Sequence, residues 1–309
     1  MSIMKIRTSS LVACALLTLP CAGLAQDITG LATLGYAYSS VSGGRPDVNS
    51  LSLDGAGTLG FQNGFSLDLD GALKHANPDR GGNAGVFDIG GVLNYTLYTG
   101  PVVGIYLEYA SLDSNGLLGR DINATSYGLT GGYDGPLVQA KLFYGGTDAT
   151  AIVGATSDWT DYGLNVGYTP TTYTTFAAHW MRSDIDSALA DTKVTSMGVG
   201  TNHDFANGFS VFAGISHMDF AALNIDSTSY GLGVGYDFSQ IARVPAQVSL
   251  EFARTTIDPV GRNTDVDSIR LGVTIPIGGS TSSAPLNSAA SNAMSTRHNA
   301  LSTFYDNLY

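Results

Sequence analysis

The chain has 309 residues, with 14 Lys and Arg against 26 Asp and Glu, and a formal net charge of −12 at pH 7. Nucleic-acid binding needs clustered cations that neutralise phosphates, so this acidic composition argues against it. We therefore exclude nucleic acid as a partner. Charged residues make up only 13% of the chain, while glycine contributes 39 residues and tyrosine 16.

The N-terminal segment has the pattern of a secretory signal peptide. Lys5 and Arg7 precede an apolar run over residues 11–19, and Gly23-Leu24-Ala25 offers a small-residue cleavage site. The apolar run is too short for a membrane-spanning helix, which needs about 20 residues. We predict that residues 1–25 are removed on export.

Both cysteines of the chain, Cys14 and Cys21, lie inside this predicted leader. The exported part therefore cannot form the disulfide bonds that often stabilise small secreted domains. It must be stable by other means, and a closed β-barrel is one of them.

The exported part shows a hydrophobic period of two. In the segment that follows Gly64, Phe65, Leu67 and Leu69 alternate with Ser66, Asp68 and Asp70. A helix would scatter these residues around its circumference, whereas a strand separates them onto two faces. Residues 101–109, 244–252 and 268–277 alternate in the same way.

The composition of the two faces favours a membrane barrel over a soluble β-sandwich. The apolar face of three strands ends in an aromatic residue, Tyr133, Tyr168 or Tyr236. Aromatic rings prefer the interface between membrane and water, where one edge is wet. The opposite face carries Gly, Ser, Thr, Asn and acidic residues, which suits a polar lumen.

Connections between the strands alternate between short turns and longer polar loops, as in outer-membrane barrels. The pattern predicts an all-β fold, a transmembrane antiparallel up-and-down β-barrel of about 14 strands (roughly 12–16), over residues 26–278. Both ends would then lie on the periplasmic side. The predicted short turns are residues 62–64, 99–101, 134–136, 169–171, 206–208 and 239–243.

The C-terminal tail, residues 279–309, is rich in Ser, Ala and Asn. Leu301, Phe304, Tyr305 and Leu308 occur at helical spacing near its end. Two interpretations stay open. The tail is either a frayed periplasmic appendage or an amphipathic helix that enters the lumen or contacts a periplasmic partner.

The leader, the cysteine-free exported chain, the alternating strands and the Gly-Tyr ends of descending strands resemble the Gram-negative outer-membrane porin superfamily. The resemblance covers about residues 27–278. It implies an outer-membrane location and an aqueous channel for passive diffusion of ions and small hydrophilic solutes. The third outer loop, Ser111 to Arg120, is shorter than the loop that narrows general porins, and the chain continues past its last strand. A smaller porin-like barrel is therefore expected.

In such a barrel the lumen lining decides which ions pass, because a ring of charge sets the sign of the permeant ion. Acidic residues outnumber basic ones among the candidates, which predicts a weak cation preference. These charges could instead pair across the lumen. Glycines on the inner face, Gly104, Gly128, Gly163, Gly231, Gly233 and Gly272, favour an open lumen. The predicted pore-lining residues are Asp68, Asp70, Lys74, Asp88, Glu108, Lys141, His179, Asp237, Glu251 and Arg270.

A second set of residues is assigned a structural role at the membrane interfaces. Aromatic side chains on the lipid face anchor a barrel at the headgroup level. The predicted girdle consists of Tyr95, Tyr133, Tyr168, Trp180 and Tyr236.

No catalytic motif is found. His217-Met218-Asp219 is the one suggestive cluster, and the chain has no Gly-x-Ser-x-Gly. The five histidines are isolated, so no metal site and no cofactor are predicted. The expected partners are outer-membrane lipids, the barrel-assembly machinery, and small hydrophilic solutes and ions, and a homo-oligomer is compatible with the pattern. The alternative function is a structural or adhesive outer-membrane barrel with a plugged lumen.

Overall fold

The computed structural model describes residues 25–98, 100–114, 122–150, 156–186, 192–221, 224–242, 245–259, 263–278, 284–295 and 297–308. Almost all of the predicted signal peptide, most of the third predicted outer loop and Tyr309 lie outside these residues. Within the described ranges, no helix is long and apolar enough to cross a bilayer.

In the part of the chain that the structure describes, fourteen antiparallel strands close into a barrel in sequence order, which confirms the predicted up-and-down topology. Strand β1 completes the ring by pairing with β14, from Gly30 opposite Ile277 to Val41 opposite Val266. Closure leaves no edge unpaired among these described strands. The strands are β1 Ala25–Val41, β2 Val48–Phe61, β3 Phe65–Pro78, β4 Ala84–Thr96, β5 Pro101–Ser114, β6 Ile122–Asp134, β7 Val138–Thr150, β8 Thr156–Thr171, β9 Thr174–Asp186, β10 Thr192–Asp204, β11 Phe209–Phe220, β12 Ile225–Asp237, β13 Gln247–Pro259 and β14 Thr264–Ile277.

The two ends of the barrel lie at one rim, which holds Ala25 and Ile277 and is called the terminal rim below. The opposite rim is called the far rim. Tight turns connect strands at the terminal rim. At the first of them Asn63 has φ 72° and Gly64 has φ 82°, the left-handed conformation that Asn and Gly tolerate best.

One predicted turn is displaced along the chain. The turn expected at residues 169–171 lies at Thr172 and Tyr173, because β8 continues to Thr171 and β9 begins at Thr174. The pairing register shifts between Tyr168 and Thr171. Proline cannot donate a ladder hydrogen bond and is tolerated at such an irregularity, so Pro170 ends the regular ladder without ending the strand.

The strands alternate between an outward apolar face and an inward polar face. Leu129 and Leu232 are each 64% exposed on the outside, whereas Ser126 and Asp161 are fully buried inside. This is the inside-out arrangement of a barrel that faces lipid.

The tail re-enters the barrel. A short helix, α1 (Ser239–Ala242), lies at the terminal rim between β12 and β13, while α2 (Ala289–Met294) and α3 (Ala300–Leu308) lie within the lumen. Ala290, Ala293 and Asn299 are fully buried there. Of the two open interpretations of the tail, the structure adopts the one in which it enters the lumen.

Candidate functional site in the barrel lumen

Nine of the ten predicted pore-lining residues lie on the inner face of the barrel, and Asp237 does not reach into it. Asp237 ends β12 at the terminal rim. There its Oδ1 accepts a hydrogen bond from the Ser239 backbone N–H and its Oδ2 accepts one from the Ser239 hydroxyl, both at 2.8 Å. Alternation assigned this residue to the inner face, but the strand ends there and the carboxylate closes the turn into α1.

The terminal half of the lumen contains a polar network around Asp68. Its carboxylate accepts hydrogen bonds from Thr58 at 2.7 Å and from Asn94 at 2.8 Å, and the Lys141 ammonium lies 3.3 Å away. The side chains of Asp68 and Lys141 are 30% and 38% exposed. This pair is therefore hydrated, and none of these contacts involves the tail.

A second wall pair receives the start of α2. The Arg270 guanidinium lies 3.4 Å from Glu251, and both residues are buried. The backbone N–H of Ala289 donates to the two Glu251 oxygens at 3.0 and 3.1 Å. The first turn of a helix has unsatisfied N–H groups, so a carboxylate placed there stabilises the docked helix.

Helix α2 lies against a wall of glycines. A Cβ atom on Gly214 would lie 2.6 Å from Ala290 Cα, and one on Gly231 would lie 2.7 Å from Ala289 Cβ. Gly198 and Gly200 face the same helix at similarly close distances. Such separations are shorter than van der Waals contact, so the helix can approach only a wall without side chains.

His179, which is paired with Gly198 on the neighbouring strand, fixes the end of α2. Its Nδ1 lies 3.1 Å from the Ala293 carbonyl oxygen and its Nε2 lies 3.2 Å from the Ser196 hydroxyl. A carbonyl can only accept, so Nδ1 carries the proton and Nε2 accepts from Ser196. The contact is a positioning hydrogen bond for the tail.

The strongest charge cluster surrounds Arg297 of the tail. Its guanidinium contacts Asp70 on β3, lies 3.3 Å from Asp88 on β4, and lies 3.2 Å from Asp306 of α3. The Lys74 ammonium joins the cluster 2.8 Å from Asp306. Burial raises the pKa of the Asp306 carboxyl, but Lys74 and Arg297 outweigh this effect, and the net shift is downward from the ordinary 3.8.

The neighbouring His298 lies on the wall at Glu108. Its Nδ1 is 2.5 Å from Glu108 Oε1, and its backbone N–H donates to Oε2 at 3.1 Å. The imidazole stacks on Tyr106 with ring centroids 4.1 Å apart, and it makes a T-shaped contact with Phe143 with centroids 4.8 Å apart. Asn299 adds a third contact to Glu108 at 3.2 Å.

Apolar contacts close the far half of the lumen over α3. Phe304 meets Phe220 edge to face at 5.3 Å. Tyr305 is 3% exposed and packs against Val86 and Leu112. These side chains replace water in the part of the lumen nearest the far rim.

The six glycines whose pattern in the sequence favoured an open lumen do not line open space, which corrects that interpretation. Rings from adjacent strands cover three of them: Tyr106 lies over Gly128, Phe143 over Gly163 and Phe212 over Gly233. A Cβ on Gly104 would meet wall atoms of β4 and β6, and Gly231 and Gly272 face the tail. Period two identifies which face a glycine occupies, but does not show which side chain fills the gap.

Several lumen residues were missed from the sequence. Asp54 and Asp161 are buried on the inner face, in phase with the polar residues of β2 and β8, so alternation could have identified both. The tail residues Arg297, His298 and Asp306 carried a weaker signal. They are the charged and titratable side chains of an otherwise neutral segment.

The residues of the predicted aromatic girdle lie at two levels of the barrel. Tyr95, Tyr133, Tyr168 and Tyr236 lie near the terminal rim, where Tyr95 packs on Phe65 at 4.8 Å. Trp180 belongs to the other level and lies 5.8 Å from Tyr162. Tyr162 precedes Tyr168 by six residues on β8, about 20 Å along a strand. The two levels therefore bracket an apolar band.

Within the described ranges, no group of three or more His, Cys, Asp and Glu side chains has the arrangement of a metal site.

Comparisons with known proteins find likeness in structure alone. No protein-family model matches the chain, and no curated protein matches its sequence. An anion-selective porin from Comamonas acidovorans aligns with a TM-score of 0.50 and 12% identity, over 81% of this chain and 98% of the porin. A FadL homologue from Pseudomonas aeruginosa gives 0.50 and 10%, over 81% and 90%.

The TodX deltaS2S3 mutant, a monoaromatic hydrocarbon channel, gives a TM-score of 0.51 and 12% identity over 86% of this chain and 94% of that one. At these identities the likeness establishes the fold. With the closed ring of fourteen strands, the apolar exterior and the polar interior, the chain has the fold of a porin-like outer-membrane β-barrel.

Proposed function

We propose that this protein is an outer-membrane channel for the passive diffusion of ions and small hydrophilic solutes, and that its own C-terminal tail closes it. The fold shared with a porin and with channel proteins supports the channel role. The outer membrane is the location that the lipid-facing exterior and the predicted signal peptide favour. Its lipids and the barrel-assembly machinery are then the expected partners.

The observation that carries the proposal is the pairing of the wall charges. Asp70, Lys74 and Glu108 bind charged or polar groups of the tail rather than one another. When the tail leaves, these groups lose their partners and face water, which gives a polar lumen. A wall of this kind suits an aqueous channel more than a permanent core, because buried charges are costly without partners.

A weak cation preference follows from the same wall. The acids Asp54, Asp70, Asp88 and Glu108 lie around the tail site with Lys74 as the neighbouring wall cation. Release of the tail would remove Arg297, which neutralises part of this charge. An acidic constriction favours cations.

A structural or adhesive barrel with a plugged lumen is the second candidate, and burial of the tail favours it. Ala290, Ala293 and Asn299 are fully enclosed, as expected of a permanent plug. The two functions differ in one respect: a channel must open when the tail leaves, and a structural barrel has no need to.

Single-channel recording in planar bilayers separates the two. Three forms are compared: the exported full-length chain, the chain ending at Gly278, and full-length Gly214→Ala, which disturbs α2 against the wall. We expect rare openings in the first, steady ohmic steps in the second and more frequent openings in the third, with reversal potentials in a salt gradient on the cation side. Absence of steps in all three forms, each shown to be folded, would refute the channel and favour the structural barrel.

A further inference from the structure

Three wall carboxylates converge where the tail places its cations. Asp70, Asp88 and Glu108 come from the adjacent strands β3, β4 and β5. A Cβ atom on Gly90 would lie 3.1 Å from both Asp70 oxygens and 3.0 Å from Glu108 Cγ. Because Gly90 has no side chain, Asp70 and Glu108 can approach each other across it. Like charges this close repel unless a cation lies between them.

Asp88 has acceptor capacity that the tail uses only in part. The residue is 4% exposed and lies beside the Ser302 hydroxyl of α3, but neither carboxylate oxygen makes a hydrogen bond of normal geometry within the described part of the chain. Its contact with Arg297 is an ion pair of 3.3 Å at Oδ1. A buried carboxylate in this state favours a ligand that brings more donors than the tethered Arg297 delivers.

An aromatic surface adjoins these acids. Tyr106 presents its face to the His298 imidazole at 4.1 Å and an interplanar angle of 14°. The Phe143 ring makes a T-shaped contact with the same imidazole, with centroids 4.8 Å apart and an interplanar angle of 82°. Carboxylates beside an aromatic face suit a flat, delocalised cation, which can donate several hydrogen bonds and stack at once.

From these three observations we propose that Asp70, Asp88, Glu108 and Tyr106 form a binding site for solutes that carry a guanidinium group. In the docked state the tail occupies this site with Arg297 and His298. The proposal rests on the proposed function, since a solute reaches the wall only after the tail has released. A compact ammonium fits less well, because it cannot stack or form the bidentate pair that a guanidinium forms with a carboxylate.

The test uses Arg297→Ala, which removes the tail's guanidinium from the site and weakens docking of the tail, so that a solute can also displace His298 from Tyr106 in the full-length chain. Binding of methylguanidinium, methylammonium and methylurea to the refolded protein is measured by isothermal calorimetry. Methylammonium keeps the charge without the planar fork, and methylurea keeps the planar shape without the charge. We expect saturable methylguanidinium binding that is at least tenfold tighter than methylammonium binding, with methylurea inactive and the wild type at least tenfold weaker than the variant.

Two further substitutions in the Arg297→Ala background localise the site. Asp70→Asn should weaken methylguanidinium binding at least tenfold. Asp68→Asn, two residues away on the same inner face but paired with Lys141, should change it less than twofold. If Arg297→Ala fails to fold, Arg297→Gln removes the same charge and serves the same comparison.

Equal affinity for methylammonium, equal effects of Asp70→Asn and Asp68→Asn, or absence of binding in the folded variants would each overturn the site. The channel is judged separately by conductance. A barrel that binds methylguanidinium but never conducts would refute the channel and leave the site intact.

Discussion

The close packing of α2 on the wall gives the most direct test of tail docking. In Gly214→Ala the new Cβ would lie 2.6 Å from Ala290 Cα, 2.7 Å from the Ala289 carbonyl oxygen and 2.8 Å from Ala293 Cβ. All three atoms belong to α2, so the strand accepts the methyl group and the helix must move. Overpacking of this kind costs about 1–3 kcal/mol. The ratio of docked to released tail should then fall by about 5- to 150-fold, since about 1.4 kcal/mol corresponds to a factor of ten.

Trypsin provides the assay, because Arg297 is the single Lys or Arg of the tail and its side chain is 17% exposed when docked. Release of the C-terminal peptide is followed by mass spectrometry on the protein in liposomes, at protease concentrations where cleavage follows the open population. Gly167→Ala is the matched control. It is an inner-face glycine of β8 whose Cβ would meet only Gln139, at 3.7 Å or more.

The expected result is faster cleavage of Gly214→Ala by the stated factor and an unchanged rate for Gly167→Ala. Equal rates for the two variants would show that α2 does not depend on the glycine wall. Docking of the tail through contacts between α2 and the glycine wall would then be refuted.

Two further predictions concern the lipid face and pH. Leu129→Arg places a charge on the apolar band and should lower the free energy of unfolding in lipid by about 2–4 kcal/mol. Asn123→Arg, near the far rim on the same strand, should lower it much less. Urea unfolding in liposomes compares the two variants, and equal losses would contradict the assigned facing. The lowered pKa of Asp306 means that its contribution to docking is complete above the ordinary value of 3.8 and is lost as pH falls below it. Pepsin cleavage near Phe304 should therefore accelerate towards pH 2, and Asp306→Asn should show a smaller acceleration; a pH-independent rate would contradict the ion-pair contribution.

The number of strands and the facing of their residues could be predicted from the sequence, because apolar and polar residues alternate within each strand independently of the other strands. Phe65, Leu67 and Leu69 alternate with polar residues whatever lies across the lumen, and Asn63-Gly64 marks a turn through local backbone preference alone. Closure of the barrel requires an even number of strands but no further sequence pattern. The displaced turn at Thr172 shows where this reasoning fails. Pro170 is a turn signal in the sequence, but a local register shift accommodates it within β8.

Occupancy of the lumen was less accessible, because it depends on contacts between segments distant in the chain. The same glycine pattern fits an open pore, a ring from the next strand or a helix from the tail. Phe143 covers Gly163 and Ala289 covers Gly231, yet the two glycines look alike in the sequence. Asp70 and Glu108 were likewise assigned to the lumen, but their partners in the tail, Arg297 and His298, were not identified.

The composition of the tail bears on whether docking is permanent. The buried face of α2 consists of Ala289, Ala290 and Ala293, whose small side chains each contribute less transfer free energy than the Leu or Phe of an ordinary core. Apart from the apolar contacts of Phe304 and Tyr305 in α3, much of the docking free energy must then come from Arg297 and His298 on the wall carboxylates. Contacts between charges can be exchanged for water or for a competing cation, whereas an apolar core cannot be displaced in this way. A tail held by small residues and exchangeable charges is therefore better suited to release than to permanent closure, and its occupancy should respond to pH, to wall substitutions and to guanidinium solutes together.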